Sequence, residues 1–386
     1  MRAGLVAVCS IGLTASSLSL ACAATIRALP LPVNATIDTQ AARAVVTATA
    51  RGDVAAVTRI GNAGRIVVWD ALGRRRILEP PPVAAADDMQ NASTEDAVLA
   101  PDGRLYGIGA YPFSGAYSGT RTRLYVWRTG APLQIDPQPC ASGATDLHPT
   151  AVASDGRVAL AGGYDSAVMN IDAIDAGGMP PTASILEGAA CRVLDFGWIA
   201  ALDGDFAAGH RGYQNGKPIP ANVNAQSQTY IAVRWRKTHA RELGPGVALG
   251  VNARGECVGS DAPPGIPGGY SVSSIGATGT VTHSYQIGEM HARLWRGQAT
   301  IALSQDARRS IAYGINETGR TVVGTLVDRT GQHAVRWRDG RTELLDSVIP
   351  RDARWQLLVA YGITPDGAIY GVGLHRGSLA VFVLSV

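Results

Sequence analysis

Lysine is almost absent from this chain: Lys217 and Lys237 are the only two among 34 basic residues, and the other 32 are arginines, spread singly apart from Arg74-Arg75-Arg76. Recognition of a phosphate backbone needs positive charge gathered in one patch. With a net charge of only +3, nucleic acid is therefore not an expected partner, and the arginines read as residue usage on a solvated surface. Cysteine is scarce too, with five in the chain and no CxxC or Cys/His cluster of the kind zinc requires. Long apolar runs are missing after the first residues, since no later segment approaches the ~20 apolar residues of a membrane-spanning helix. Also lacking are a phosphate-binding Walker loop, a dinucleotide fingerprint between a strand and a helix, and an HExxH pair. No cofactor and no metal are expected; Asp172 and Asp175 in "NIDAID" lack the glycine and the ligand alternation of a calcium loop.

The opening stretch, "MRAGLVAVCSIGLTASSLSLACAATIRALP", has one arginine, a short apolar run and small residues ending in Ala21-Cys22-Ala23. That order is expected of an export signal over residues 1–23, followed by one domain over 24–386 in the periplasm or outside the cell. Lipid anchoring at Cys22 stays open as an alternative, although Ser19 and Leu20 stand where a lipoprotein site has Leu and then a small residue. Cleavage after Ala23 leaves Cys140, Cys191 and Cys257, an odd count that permits at most one internal disulfide. A Cys140 to Cys191 bridge is one option, and Cys257 in "GECVGS" reads as a buried thiol.

Glycine, in contrast, is abundant, with 46 in the chain beside 21 prolines, and its placement is periodic. "VLAPDGRLYGIG", "AVASDGRVALAG", "AALDGDFAAG", "GVNARGECVG", "YGINETGRTVVG" and "YGITPDGAIYGVG" share one pattern, with a degenerate copy in "TATARGDVAAV". Their turn glycines are Gly52, Gly103, Gly156, Gly204, Gly255, Gly319 and Gly367, separated by 51, 53, 48, 51, 64 and 48 residues. A period near 50 in alternating apolar strands predicts an all-β, seven-bladed β-propeller with about four strands per blade.

A second motif recurs in six of the seven units as "IVVWD", "LYVWR", "AVRWR", "ARLWR", "AVRWR" and "LAVFV". Trp69, Trp127, Trp235, Trp295, Trp337 and Phe382 occupy one register of an alternating strand, which predicts packing between neighbouring blades, worth about 2–3 kcal/mol per buried aromatic. The third unit has "ASILE" there instead. The seventh unit ends at Val386 after its third strand, and "TIRALPLP" from Thr25 is the natural donor of the missing outer strand. Pairing it with the last blade closes the ring and removes an exposed edge.

Gly314-Ile315-Asn316, Gly319, Val322-Val323-Gly324, His333-Ala334 before Trp337, Asp339-Gly340 and Leu344-Leu345 together resemble the bacterial extracellular repeat family named for its His-Ala-Phe (HAF) tripeptide. Val335 stands in place of the phenylalanine, and the fifth unit keeps His291-Ala292 and Trp295. The resemblance implies an exported propeller-like array and brings no catalytic residues.

In a four-stranded blade the turns from first to second and from third to fourth strand share one face. The connections from second to third strand share the other. The former are short throughout. The latter run to 14, 20, 21 and 31 residues in units two to five, counted from Ala110 to Arg123, Gly163 to Thr182, His210 to Tyr230 and Ser260 to Met290. Long connections of this kind carry function in many folds. Tyrosine amid Gly, Ser and Asn gives large contact area at small entropic cost, so Tyr111, Tyr117, Tyr164, Tyr213, Tyr270 and Tyr285, with Asp165, His210 and Arg211, are the candidate binding residues. Packing within their own loops is the alternative of equal weight. Two functions follow. The first is a monomeric scaffold that contacts a protein or glycan of the envelope or exterior through this face. The second is a carbohydrate-directed lyase or hydrolase at the channel mouth, for which His148, His210, His283, Asp165 and Arg211 are the acid/base candidates.

Overall fold

The computed structural model describes residues 24–37, 45–82, 92–113, 119–127, 133–134, 140, 146–163, 183–188, 190–214, 217–219, 229–261, 273–275, 281–283, 290–304 and 309–386. The periodic glycines occupy the turns between inner and second strands, where the backbone adopts a positive φ: +84° at Gly103 and +68° at Gly319. Their N–H groups close these turns on the carbonyls of Ala100 and Asn316. An L side chain is strained in that conformation, which is why the residue recurs.

Seven antiparallel sheets follow. From inner to outer strand, blade two is Ser93–Leu99, Leu105–Phe113, Gly119–Trp127 and Leu133–Gln134; blade four is Trp198–Asp203, Phe206–Gln214, Thr229–Arg236 and His239–Pro245. Blade six is Arg309–Ile315, Thr321–Val327, Gln332–Arg338 and Arg341–Leu344. Blade seven takes its outer strand from the other end of the domain, with Thr25–Pro30 lying antiparallel on Ser378–Ser385 and Thr25 opposite Ser385. The ring is closed as the sequence requires.

The recurrent aromatics lie where consecutive blades meet. Trp127 clusters with Ala55, Ile66 and Leu78 of blade one, and Trp235 with Ala151, Ala159 and Ile185 of blade three. Trp295, Trp337 and Phe382 repeat the relation on blades four, five and six, and Trp69 closes it on Leu358, Val359 and Val372 of blade seven. At the one interface without an aromatic, Leu186 takes the place and packs on Tyr106, Ile108 and Val126. The second-strand glycines have an equally direct cause. A Cβ on Gly324 would run into the carbonyl oxygen of Ile311 on the inner strand, and Gly209, Gly259 and Gly371 face the carbonyls of Trp198, Val247 and Val359 in the same way.

The arginines are not only surface usage. Arg27 on the closing strand donates to the carbonyl of Gly52 in blade one at 2.6 Å, and Arg157, Arg234 and Arg296 reach the carbonyls of Gly204, Gly255 and Gly319, each in the next blade. The planar, always-charged guanidinium suits this task better than lysine. Buried glutamate and asparagine complete the same layer: Glu256 accepts from Asn252 and Arg254 at 2.7 Å and pairs with Arg296 at 2.6 Å.

Candidate functional site

Two of the long connections are shorter than their sequences imply. In blade two the second and third strands run on to Phe113 and from Gly119, paired without interruption, so Tyr111 is a strand residue. In blade four the second strand runs to Gln214 and pairs with both Thr229–Arg236 and a short extra strand, Lys217–Ile219, so His210, Arg211 and Tyr213 are strand residues as well. The glycines and tyrosines of these segments look loop-like in sequence. They are instead the ends of ribbons whose backbone pairing persists beyond the blade body. Tyr117, Tyr164, Asp165, Tyr270 and Tyr285 lie outside the described residues.

Tyr111 is buried, with its hydroxyl donating to Pro81 and lying 3.0 Å from the Tyr125 hydroxyl. Burial, and then that hydrogen bond, push its ionisation far above the ordinary range. His210 is 2% exposed. It follows Gly209 as Ser260 follows Gly259 and Thr325 follows Gly324, so it fills the position that carries a small hydroxyl residue in blades five and six. Its ring meets Tyr230 edge-on at 5.3 Å, and burial lowers its pKa to about 4. It is a neutral imidazole at neutral pH.

Successive strand residues point to opposite faces, so Arg211 faces away from His210. It is held by Asp195 at the end of the outer strand of blade three, by Glu242 of blade four at 3.5 Å and by the carbonyl of Phe196 at 3.2 Å, with the guanidinium 4.5 Å from the Phe196 ring centre. Tyr213 joins this group by donating to Glu242 at 2.7 Å and packing edge-on against Phe196. Desolvation and the Glu242 carboxylate both raise the Tyr213 pKa. The side chains of Asp195 and Glu242 are 42% and 50% exposed, so the cluster presents carboxylate and phenol to solvent around a buried cation. His210 and Arg211 thus do not converge on one reactive point.

Sequence reasoning missed another pairing. Asp96 of blade two meets His148 of blade three, Oδ2 to Nδ1, at 2.6 Å. Each of blades two to seven carries a bulge in its inner strand, and Asp96 lies in the one between Glu95 and Val98, with φ of +50°. Bulges re-aim side chains, and here the result is a nearly buried carboxylate directed at an imidazole. The His148 ring lies 6.3 Å from that of Trp198 on the inner strand of blade four. The 52-residue separation hides this pair from any motif search.

A third feature departs from the blade pattern. The inner strand of blade one is split into Ala35–Ile37 and Val46–Ala48, both pairing with Val54–Ile60. On its other edge Ala35–Ile37 receives a hairpin, Ser273–Ile275 with Val281–His283, which belongs to the connection between the second and third strands of blade five. Because Ala35 and Ile37 lie opposite Ile60 and Thr58, beside the second-to-third turn, the hairpin enters at the long-connection face of the ring.

Cys140 and Cys191 form a disulfide with Cα atoms 5.2 Å apart, tying the segment that leaves blade two to the outer strand of blade three. Cys257 is fully buried, and burial raises its thiol pKa to about 12, so it is inert. Among the described residues no group of three His, Cys, Asp or Glu side chains is placed to hold a metal, and no helix is long and apolar enough to cross a membrane.

No family model matches this chain, and no curated protein does. Among solved structures it is similar to the propeller domain of the Trilobed protease from Pyrococcus furiosus, at 12% identity and a TM-score of 0.53 over 89% of this chain and 93% of that one. It also matches acylaminoacyl peptidase from Pyrococcus horikoshii, at 11% identity and a TM-score of 0.49 over 87% of this chain and 50% of that one. Trypanosoma rangeli sialidase follows at 9% identity and a TM-score of 0.41, over 94% and 58%. What the chain shares with the first of these, a propeller described as having an open velcro topology, is the fold, and in this chain the ring is shut by Thr25–Pro30. The chain is a seven-bladed β-propeller.

Proposed function

We propose that this propeller is an exported binding or scaffold module, and that the face carrying the second-to-third connections contacts another macromolecule of the envelope or exterior, most simply a protein. The observation that supports this most is the asymmetry of the ring. One face is a repeated layer of short turns, whereas on the other blades two and four extend their strands, blade four adds a strand and blade five sends out a hairpin. The Cys140–Cys191 bridge supports export, because disulfides persist in oxidising compartments. The resemblance to the HAF repeat family points the same way.

Chemical crosslinking and capture from native envelope tests this reading, using the mature protein beside a variant shortened between Gly163 and Ala183 and between Ile219 and Thr229. Capture of a specific protein by the first and its loss with the second is the expected outcome. Equal capture by both overturns the placement on this face. The Asp96–His148 pair supports a second reading, a carbohydrate-directed lyase or hydrolase in which Asp96 orients the imidazole as a proton acceptor. For that reading, His148→Gln must abolish turnover of envelope polysaccharide that the parent protein degrades.

A further inference from the structure

We propose that the inner edge of Ala35–Ile37 is a strand-addition site for an extended polypeptide, and that the protein's own hairpin from blade five is its resident occupant. The inner strands of blades two to seven run through their blades with one bulge each, or two in blade seven, whereas that of blade one falls in two pieces, Ala35–Ile37 and Val46–Ala48. Ala35–Ile37 therefore stands apart as a short strand with one edge on Val54–Ile60 and the other turned to the hairpin.

The hairpin has come a long way to occupy that edge. It leaves blade five and reaches blade one, with blades six and seven between them in the ring order. It is also held lightly. Among the described residues its strands have three residues each, and one register pair, Ile37 with Ile275, joins it to blade one. Two-stranded hairpins of that size are marginal in water, and an element with so few pairs opens at a small fraction of the global stability. Opening would leave the amide and carbonyl groups of a strand edge unpaired at the mouth of the channel. That is the chemistry that β-strand addition uses: main-chain hydrogen bonds give affinity, and alternate side chains give selectivity. The buried Ile37 selects for an apolar residue opposite it. The partner is thus an extended peptide segment with an apolar residue flanked by small polar ones, as in the protein's own Ser273-Ser274-Ile275.

The inference rests on reading this face as a protein-binding surface, and the two fail separately. The probe is a fluorescent peptide with the sequence of residues 271–283. One variant replaces residues 262–289 by a short Gly-Ser turn and so vacates the edge. Another, Ile37→Cys with Ile275→Cys, locks the hairpin in place on oxidation, since directly opposed residues of antiparallel strands bring their Cβ atoms to about 4.5–5.5 Å. The vacated protein is expected to bind the peptide at least tenfold more tightly than the parent, and the locked one not at all while its unoxidised form does. A vacated protein that keeps its melting temperature and ignores the peptide overturns the proposal. So does equal binding by the oxidised and unoxidised double variant, or binding by neither, and these outcomes decide even if the vacated protein fails to fold. If envelope capture persists while the peptide is ignored, strand addition alone is lost.

Discussion

At the short-turn face an arginine from one blade reaches the turn glycine of the next at four places, from Arg27 to Gly52 through Arg296 to Gly319. At the long-connection face, beside a recurring bond from the third strand of one blade to an inner-strand hydroxyl of the next, from Ile66 to Thr94 and from Ala292 to Ser310, there are contacts that occur once among the described residues: Arg211 with Asp195 and Glu242 between blades three and four, Asp96 with His148 between blades two and three, and a hairpin from blade five on blade one. The arginine set recurs because these blades solve the same problem, a part-buried turn carbonyl facing its neighbour. The contacts that occur once solve no problem common to all blades. Repetition in this ring marks what holds it together, and departure from repetition marks where it can do something particular.

The sharpest way to break this comparison is to remove the closure. Deleting residues 24–31 from a protein of residues 24–386 takes away the outer strand of blade seven and with it the buried Leu29, which packs with Trp69 and Val381. The melting temperature should fall by on the order of 10 °C, and an unchanged scanning-calorimetry trace would count against ring closure. Next comes Trp235→Ala, at an interface where the ring is fully buried, with an expected cost of about 3–5 kcal/mol in urea unfolding. A loss under 1 kcal/mol, on the order of what a surface position gives, would show that the aromatic register is dispensable.

His210 sharpens the comparison through pH. Its folded pKa is about 4, against the ordinary 6.5, so the unfolded chain takes up a proton that the folded one refuses. The stabilisation from keeping this imidazole neutral is fully present above pH 6.5 and is lost as the pH falls towards 4, a change of roughly 3 kcal/mol for one buried group. Melting curves across that window should therefore fall for the parent and stay flatter for His210→Gln; parallel curves would mean that the burial does not govern its titration. The smallest effects make the most direct contrast between faces. Arg296→Met removes a latch and should cost about 1 kcal/mol. Tyr213→Phe, which removes only the hydrogen bond to Glu242, should cost no more than that while weakening partner capture. If Arg296→Met impaired capture and Tyr213→Phe did not, the faces would be assigned the wrong way round.

Most of the ring was legible in the sequence because its causes are local. Gly103 and Gly319 are fixed by a positive φ, Gly324 by a carbonyl pressed against it, and the tryptophans by strand alternation. Ring closure was legible too, since a blade lacking its last strand must borrow one. The long-connection face was far less so. Tyr111, His210, Arg211 and Tyr213 sit in segments rich in loop-forming residues, and only the pairing partners, brought in from later in the chain, show them to be strand. The arginine latches escaped notice for a related reason: each joins residues in different blades, as Arg234 and Gly255 are joined, and single scattered arginines carry no spacing that says so. Asp96 with His148, and Ile37 with Ile275, are long-range pairings of the same kind.

The division between the two faces is tested most directly by hydrogen exchange of residues 24–386 with and without a protein captured in the crosslinking experiment, read by mass spectrometry. The expected result is added protection in 105–127, 206–236 and 262–290, with residues 49–53 and 315–320 at the short turns unchanged. Protection gained at those short turns, with the long connections exchanging as before, would contradict it.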